Sequence, residues 1–208
     1  MKPGKIIGIG WNYRSHLEET DAELPEAPVV FLKPSSCLIG DGDNIELPEG
    51  IGEVHHELEL ALIIGKDGRN IAEADALSHV SHLAVFNDIT ARDLQTKARH
   101  RGDPWALSEG MDTFGAMSEP VPIQSVKDLN NLRLELKVNG KLRQQGRTSL
   151  MIFSPEFLVS YLSAFMTLEK GDIIITGTPE GVGRILPGDV VEAKIFGVGS
   201  LRNPVTQA

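Results

Sequence analysis

The chain has 208 residues, 41% of them hydrophobic and 24% charged, the balance of an ordinary globular protein able to bury roughly 70% of its unfolded surface. That composition excludes intrinsic disorder as the main state. With 20 lysines and arginines against 29 acids, the net charge is −9, a poor match for a nucleic-acid backbone or an anionic membrane surface. A single cysteine, Cys37, allows no internal disulfide and fits a reducing compartment. The apolar run at residues 6–11 is interrupted by Gly8 and Gly10 and is too short for a signal-peptide core. No stretch approaches the ~20 apolar residues of a membrane span. The expectation is a cytoplasmic protein, one domain over residues 1–208, with no nucleic-acid and no membrane partner.

In chain order, residues 5–9 form a short apolar run, and residues 12–19 read as a turn entering a short helix. Residues 21–28 hold two prolines and three acids and read as a loop. Residues 29–33 read as a strand ended by Pro34, and residues 45–47 as another. Residues 55–64, His55-His56-Glu57-Leu58-Glu59-Leu60-Ala61-Leu62-Ile63-Ile64, alternate at first and then turn fully apolar. This is the pattern of one strand whose far half is buried on both faces. Residues 73–83 read as a helix and residues 84–86 as a strand leading into Asn87-Asp88. Residues 132–138 alternate, and Asn139-Gly140 predicts a hairpin. Ser154 and Pro155 announce a helix over 155–165. Strands follow at 172–176, 190–196 and 200–205. Strands outnumber helices and do not alternate with them regularly, so the fold class is α+β.

Several constellations could carry chemistry. Gly8-Ile9-Gly10 is not a dinucleotide fingerprint, because Tyr13 stands where the third glycine belongs. The glycine-rich stretch 177–183 is no P-loop; it reads either as a tight strand-end turn or as backbone N–H groups facing an anion. Lys97-Ala98-Arg99-His100-Arg101 reads as a solvated loop or as a cation-lined rim. Glu57 and Glu59, two apart on a strand, leave the same face about 7 Å apart. They are either a solvated strand face or, with Asp88 as third acid, a divalent-metal site. Asp93 is the runner-up, more readily paired with Arg92. Oxygen ligands select magnesium, manganese or calcium over zinc. His55, of the same strand parity, leaves a Glu/His site open. His16 and Glu19, three apart on a helix, are either surface decoration or a water-activating pair.

Together these pieces resemble the fumarylacetoacetate hydrolase family, in its small single-domain branch of acylpyruvases and oxaloacetate decarboxylases. Asn12-Tyr13 with His16, Val30-Phe31-Leu32-Lys33-Pro34, His56-Glu57-Leu58-Glu59-Leu60-Ala61, Asn87-Asp88-Ile89-Thr90-Ala91-Arg92-Asp93-Leu94-Gln95, Asp112-Thr113-Phe114, Val138-Asn139-Gly140, Met151-Ile152-Phe153-Ser154-Pro155 and the segment 171–183 run in family order nearly end to end.

The resemblance implies a strand-rich mixed β-sheet roll, a lid segment at residues 11–27 and a homodimer. It implies Glu57, Glu59 and Asp88 as ligands of Mg2+ or Mn2+, with Ca2+ a further hard ion. His16 and Glu19 would be the catalytic dyad, and Arg92, Gln95 and Thr178 would bind a small 2-oxo acid. The implied activity is C–C cleavage of acylpyruvates, or decarboxylation of oxaloacetate, through a metal-stabilised pyruvate enolate. An isomerase or hydratase of the same superfamily, or a low-turnover metal- or ligand-binding homologue, are the other readings. Two positions depart from the family pattern: Glu109 stands where a lysine is usual, and Trp11 where an arginine often is.

Overall fold

Branched apolar residues dominate the segments that pair into sheets, as in Ile6–Gly10, Leu58–Ile64 and Ile173–Ile175. The computed structural model describes residues 3–19 and 23–208. The expected lid, 11–27, thus includes residues 20–22, which lie outside the described residues. The chain runs β1 (Ile6–Gly10), α1 (Arg14–Glu19), β2 (Val29–Lys33), β3 (Leu38–Ile39), β4 (Ile45–Leu47), β5 (Val54–His56), β6 (Leu58–Ile64), β7 (Val80–Asp88) and β8 (Thr90–Ala91). Then come α2 (Arg92–Arg101), α3 (Ala106–Glu109), β9 (Gly115–Met117), β10 (Val121–Pro122), β11 (Arg133–Val138), β12 (Lys141–Arg147) and α4 (Pro155–Phe165). The last strands are β13 (Ile173–Ile175), β14 (Gly183–Arg184), β15 (Val190–Ile195) and β16 (Gly199–Gln207).

An eight-stranded sheet runs β2-β1-β13-β6-β7-β9-β3, with β10 also on β7. A five-stranded sheet runs β12-β11-β15-β16-β4, and a small one β14-β5-β8. Pairing is mixed: β1 is parallel to β13 and antiparallel to β2. The protein is therefore α+β and strand-rich. Among the described residues, no helix is long and apolar enough to cross a membrane.

Side-chain alternation splits the large sheet. Leu58, Leu60 and Leu62 of β6 join Leu134, Leu136, Leu158 and Ile195 in the main core. Ala61 on β6 and Ala84 and Phe86 on β7 face the other way, into a second cluster with Ile6, Ile173 and Ile175. Because strand side chains repeat every two residues, that second face continues at the strand ends into Glu59 and Asp88. Two local expectations are corrected. Residues 73–83 are not a helix: a 3-10 turn covers Glu73–His79, and Val80 already begins β7. Pairing with β6 and burial of Val80 and Leu83 outweigh a weak helical pattern. Residues 55–64 are two strands, not one: β5 pairs in the small sheet, β6 in the large one, and Glu57 lies at the break.

The Gly8-Ile9-Gly10 stretch lies within β1, and Gly8 makes room for an aromatic ring. A Cβ there would lie 2.2 Å from Phe31 Cζ. Gly8→Ala should overpack this contact and cost about 1–3 kcal/mol, read as a lower thermal midpoint; an unchanged midpoint would show that Phe31 can swing away.

Candidate metal centre

The break after β5 lets Glu57 turn back toward Glu59, while β7 delivers Asp88 from the neighbouring strand. Each of the three offers one carboxylate oxygen within 4.8 Å of the others. They are only 8%, 2% and 1% exposed. Backbone bonds fix the geometry: Asp88 N–H donates to Glu57 O (2.8 Å), and Glu57 N–H to Asn87 Oδ1 (3.0 Å). Gly177 N–H reaches Glu59 Oε2 at 2.5 Å. Gly177 has φ +90° and would place a Cβ 2.7 Å from Asn12 Cβ, so glycine is required there. Gly181 N–H donates to Glu19 (3.1 and 3.3 Å). The glycine stretch thus does aim N–H groups at anions, and the anions are the protein's own carboxylates.

The electrostatics follow from crowding acids out of water. Burial, and then the Asp88 charge, drive the Glu59 carboxyl well above its ordinary range. Burial raises Asp88 to about 7, against the pull of Lys33. Lys33 is fully buried; its Nζ lies 2.5 Å from Asp88 Oδ1 and 3.4 Å from Glu109 Oε2. Burial alone would lower Lys33, but Asp88 and Glu109 outweigh it and raise its pKa. Arg92 bonds Glu57 Oε1 and Gln95 Oε1, and Gln95 Nε2 donates to Glu109 Oε1 at 2.8 Å. The contacts form an arc, Asp88–Lys33–Glu109–Gln95–Arg92–Glu57, that starts on one acid of the cluster and ends on another.

Four carboxylates therefore share two buried cations. The residual negative charge and an all-oxygen donor set fit a hard divalent ion, and no imidazole or thiolate joins the group among the described residues. His55 stays outside it, bonded to Glu53 and to Arg92 Nε, so the Glu/His arrangement does not form. Asp93 does not pair with Arg92; it accepts from Glu53 N–H (3.2 Å).

The other expected residues line the same narrow cavity of about 20 Å3: His16, Arg92, Gln95 and Thr178. Glu19 stands behind His16, whose Nδ1 is 3.2 Å from Glu19 Oε2. Burial, with Arg92, lowers the His16 pKa below its ordinary value although Glu19 pulls it up.

Residues 5–206 match the family described as fumarylacetoacetate (FAA) hydrolase C-terminal. The chain belongs to this family. It is 44% identical to the mitochondrial oxaloacetate tautomerase FAHD1 of Arabidopsis thaliana, over 95% of this chain and 89% of that one. It is 43% identical to the mitochondrial oxaloacetate decarboxylase of Dictyostelium discoideum, over 93% and 89%. Its fold superimposes on the fumarylpyruvate hydrolase of Pseudomonas aeruginosa, solved with Mn2+ and pyruvate, with a TM-score of 0.94 and 33% identity over 99% and 91% of the two chains. The protein is an enzyme of the fumarylacetoacetate hydrolase family.

Sequence reasoning missed three parts of this enzyme's site. Lys33 reads as a strand-end lysine before Pro34, and its salt bridges exist only because the end of β2 meets the end of β7 and α3. Gln144 lies in the polar run Arg143-Gln144-Gln145, yet it is fully buried. Its Oε1 accepts from Leu58 N–H (3.0 Å) and contacts His56 Nδ1 (3.0 Å), while Nε2 donates to Thr178 Oγ1 (2.7 Å) and Pro179 O (2.9 Å). It ties the acid-bearing strand to the glycine loop. Third, Trp11, Phe31 and Trp105 form one wall of the cavity.

Raised carboxylate pKa values stabilise the folded chain fully below about pH 4, and that contribution is lost as pH rises through about 7. Metal-free enzyme should therefore melt lower at about pH 8 than at about pH 5, and excess Mg2+ should restore the difference. Asp88→Asn should raise the metal-free midpoint at the higher pH by a few degrees and abolish the Mg2+ response. Scanning fluorimetry with chelator or Mg2+ reads both; a Mg2+ response surviving in Asp88→Asn would move the ion elsewhere.

Proposed function

We propose that the enzyme acts on small 2-oxo acids with a second carbonyl group β to the keto carbon, generating a pyruvate-type enolate by tautomerisation, decarboxylation or hydrolytic C–C cleavage. The observation that carries this reading is the buried Glu57–Glu59–Asp88 cluster, opening into the cavity that holds His16, Arg92 and Thr178. Mg2+ or Mn2+ held by those three acids would supply a Lewis acid for the keto oxygen and for the enolate charge. The Mn2+ and pyruvate in the similar fumarylpyruvate hydrolase support that choice. The family resemblance supports a homodimer, which sedimentation can test.

The chain's own residues supply the rest. Arg92 presents a planar guanidinium to the substrate carboxylate, and Gln95 holds it in place. Glu19 accepts at His16 Nδ1, so Nδ1 carries the proton and Nε2 is the basic nitrogen. His16 Nε2 then removes a proton from C3 in tautomerisation, or from a water that attacks the C4 carbonyl in hydrolysis. Decarboxylation needs neither step. The α1 segment carrying the dyad acts as the lid over residues 57–59 and 88, anchored through Glu19 to Gly181 N–H.

Glu57→Gln, Glu59→Gln and Asp88→Asn should each abolish turnover. His16→Ala should lose about 10²–10⁴ in acylpyruvate hydrolysis and much less in oxaloacetate decarboxylation; equal losses would make the dyad a closing device only. Because His16 is the base when neutral and its pKa lies below 6.5, hydrolytic kcat/KM should fall on the acid side with a midpoint under that value. An acid limb that persists unchanged in His16→Ala would belong to another group.

A further inference from the structure

The cavity has two unlike halves. One is the acid cluster with Arg92. The other is built by β2, the turn after β1, and α3. Trp105 and Glu109 sit on the same single turn, where Trp105 O accepts from Glu109 N–H at 3.1 Å. The ring of Trp105 lies 5.3 Å from Trp11 at 86° and 5.7 Å from Phe31. Trp11 adopts φ 54°, a left-handed conformation unusual for a bulky side chain. It is held there by Trp105 on one side and by the Arg99 guanidinium, 4.5 Å from its ring centre, on the other. This aromatic wall is fixed before any ligand arrives.

Glu109 is 1% exposed and lines the same half. Its two oxygens accept from Gln95 Nε2 (2.8 Å), Thr90 Oγ1 (3.2 Å) and Lys33 Nζ (3.4 Å). Among the described residues, two cations that contact the cavity's acids are already paired. Lys33 is shared by Asp88 and Glu109, and Arg92 lies on Glu57 and is needed for the first carboxylate, while Arg99 stacks on Trp11. A second carboxylate on the substrate would meet Glu109 and three aromatic rings, and the lysine of this half is already shared by two carboxylates, an arrangement that disfavours a further buried negative charge. A flat, uncharged group would instead stack against the rings.

We propose that Glu109 and the Trp11–Phe31–Trp105 wall form a specificity pocket for a flat, uncharged C4 substituent, so that the enzyme prefers monocarboxylate 2-oxo acids, such as aryl acylpyruvates, to dicarboxylates such as oxaloacetate. The assignment rests on the reaction proposed above and chooses within its substrate class. Glu109 acts here by excluding charge; the rings act by contact.

Two non-cleavable probes, phenylpyruvate and 2-oxoglutarate, separate binding from chemistry on Mg2+-loaded enzyme. Calorimetry should give at least tenfold tighter binding of phenylpyruvate. Glu109→Gln should narrow that ratio at least fivefold, by tightening 2-oxoglutarate while phenylpyruvate stays within twofold. Trp105→Leu should weaken phenylpyruvate at least fivefold and leave 2-oxoglutarate unchanged, and it carries the test if Glu109→Gln fails to fold. Benzoylpyruvate and oxaloacetate should show the same order in KM. Tighter 2-oxoglutarate binding by the unmodified enzyme, or a ratio that neither variant moves, overturns the specificity assignment alone. If none of the four compounds binds or reacts, the proposed reaction falls and the assignment with it.

Discussion

Glu57, Glu59 and Asp88 are buried with carboxylate oxygens within 4.8 Å of one another, and each neighbouring element supplies something that offsets their repulsion. β2 contributes the Lys33 ammonium, α2 the Arg92 guanidinium, and the loop after β13 the Gly177 N–H. Desolvation still dominates, as the raised carboxyl groups of Glu59 and Asp88 show. Neutralising one acid would relieve that repulsion, whereas removing Lys33 or Arg92 would leave buried carboxylates uncompensated. A divalent cation bound here would offset the negative charge that Lys33 and Arg92 leave uncompensated.

The division of the large sheet explains where this cost is placed. One face is sealed by the five-stranded sheet and α4, in a core of leucine, isoleucine and valine. The other face carries the smaller apolar cluster, and only its strand ends reach the acids. The polar cluster therefore borders the core without interrupting it. Gln144 crosses between sheets at this border with both ends of its amide hydrogen-bonded, which is the condition under which a buried amide adds rigidity instead of cost.

Rigid and adaptable parts of the site are also separated. Glu59 and Asp88 stand on paired strands and Glu57 at the break beside them, its backbone bonded to Asn87 and Asp88, whereas His16 and Glu19 ride on the six-residue α1. In the reaction proposed above, enolate formation would rest on the first group and water delivery would add the second.

Much of the candidate site was legible in the chain itself. The two-residue spacing of Glu57 and Glu59, the three-residue spacing of His16 and Glu19, and the order of the family segments marked the acids, the dyad and Arg92, Gln95 and Thr178. Alternating strands, Asn139-Gly140 and Ser154-Pro155 marked most elements, because periodicity and turn chemistry are local. The failures were non-local. Residues 73–83 became a turn and a strand because β6 required a partner, and the strand break at Glu57 came from the competing pairings of β5 and β6. Sequence determined which residues could carry chemistry. The tertiary structure decided that Lys33 answers Glu109 and that Gln144 is internal. It also set three aromatic rings opposite the acids, since burial and counter-ions are properties of neighbours brought together from distant parts of the chain.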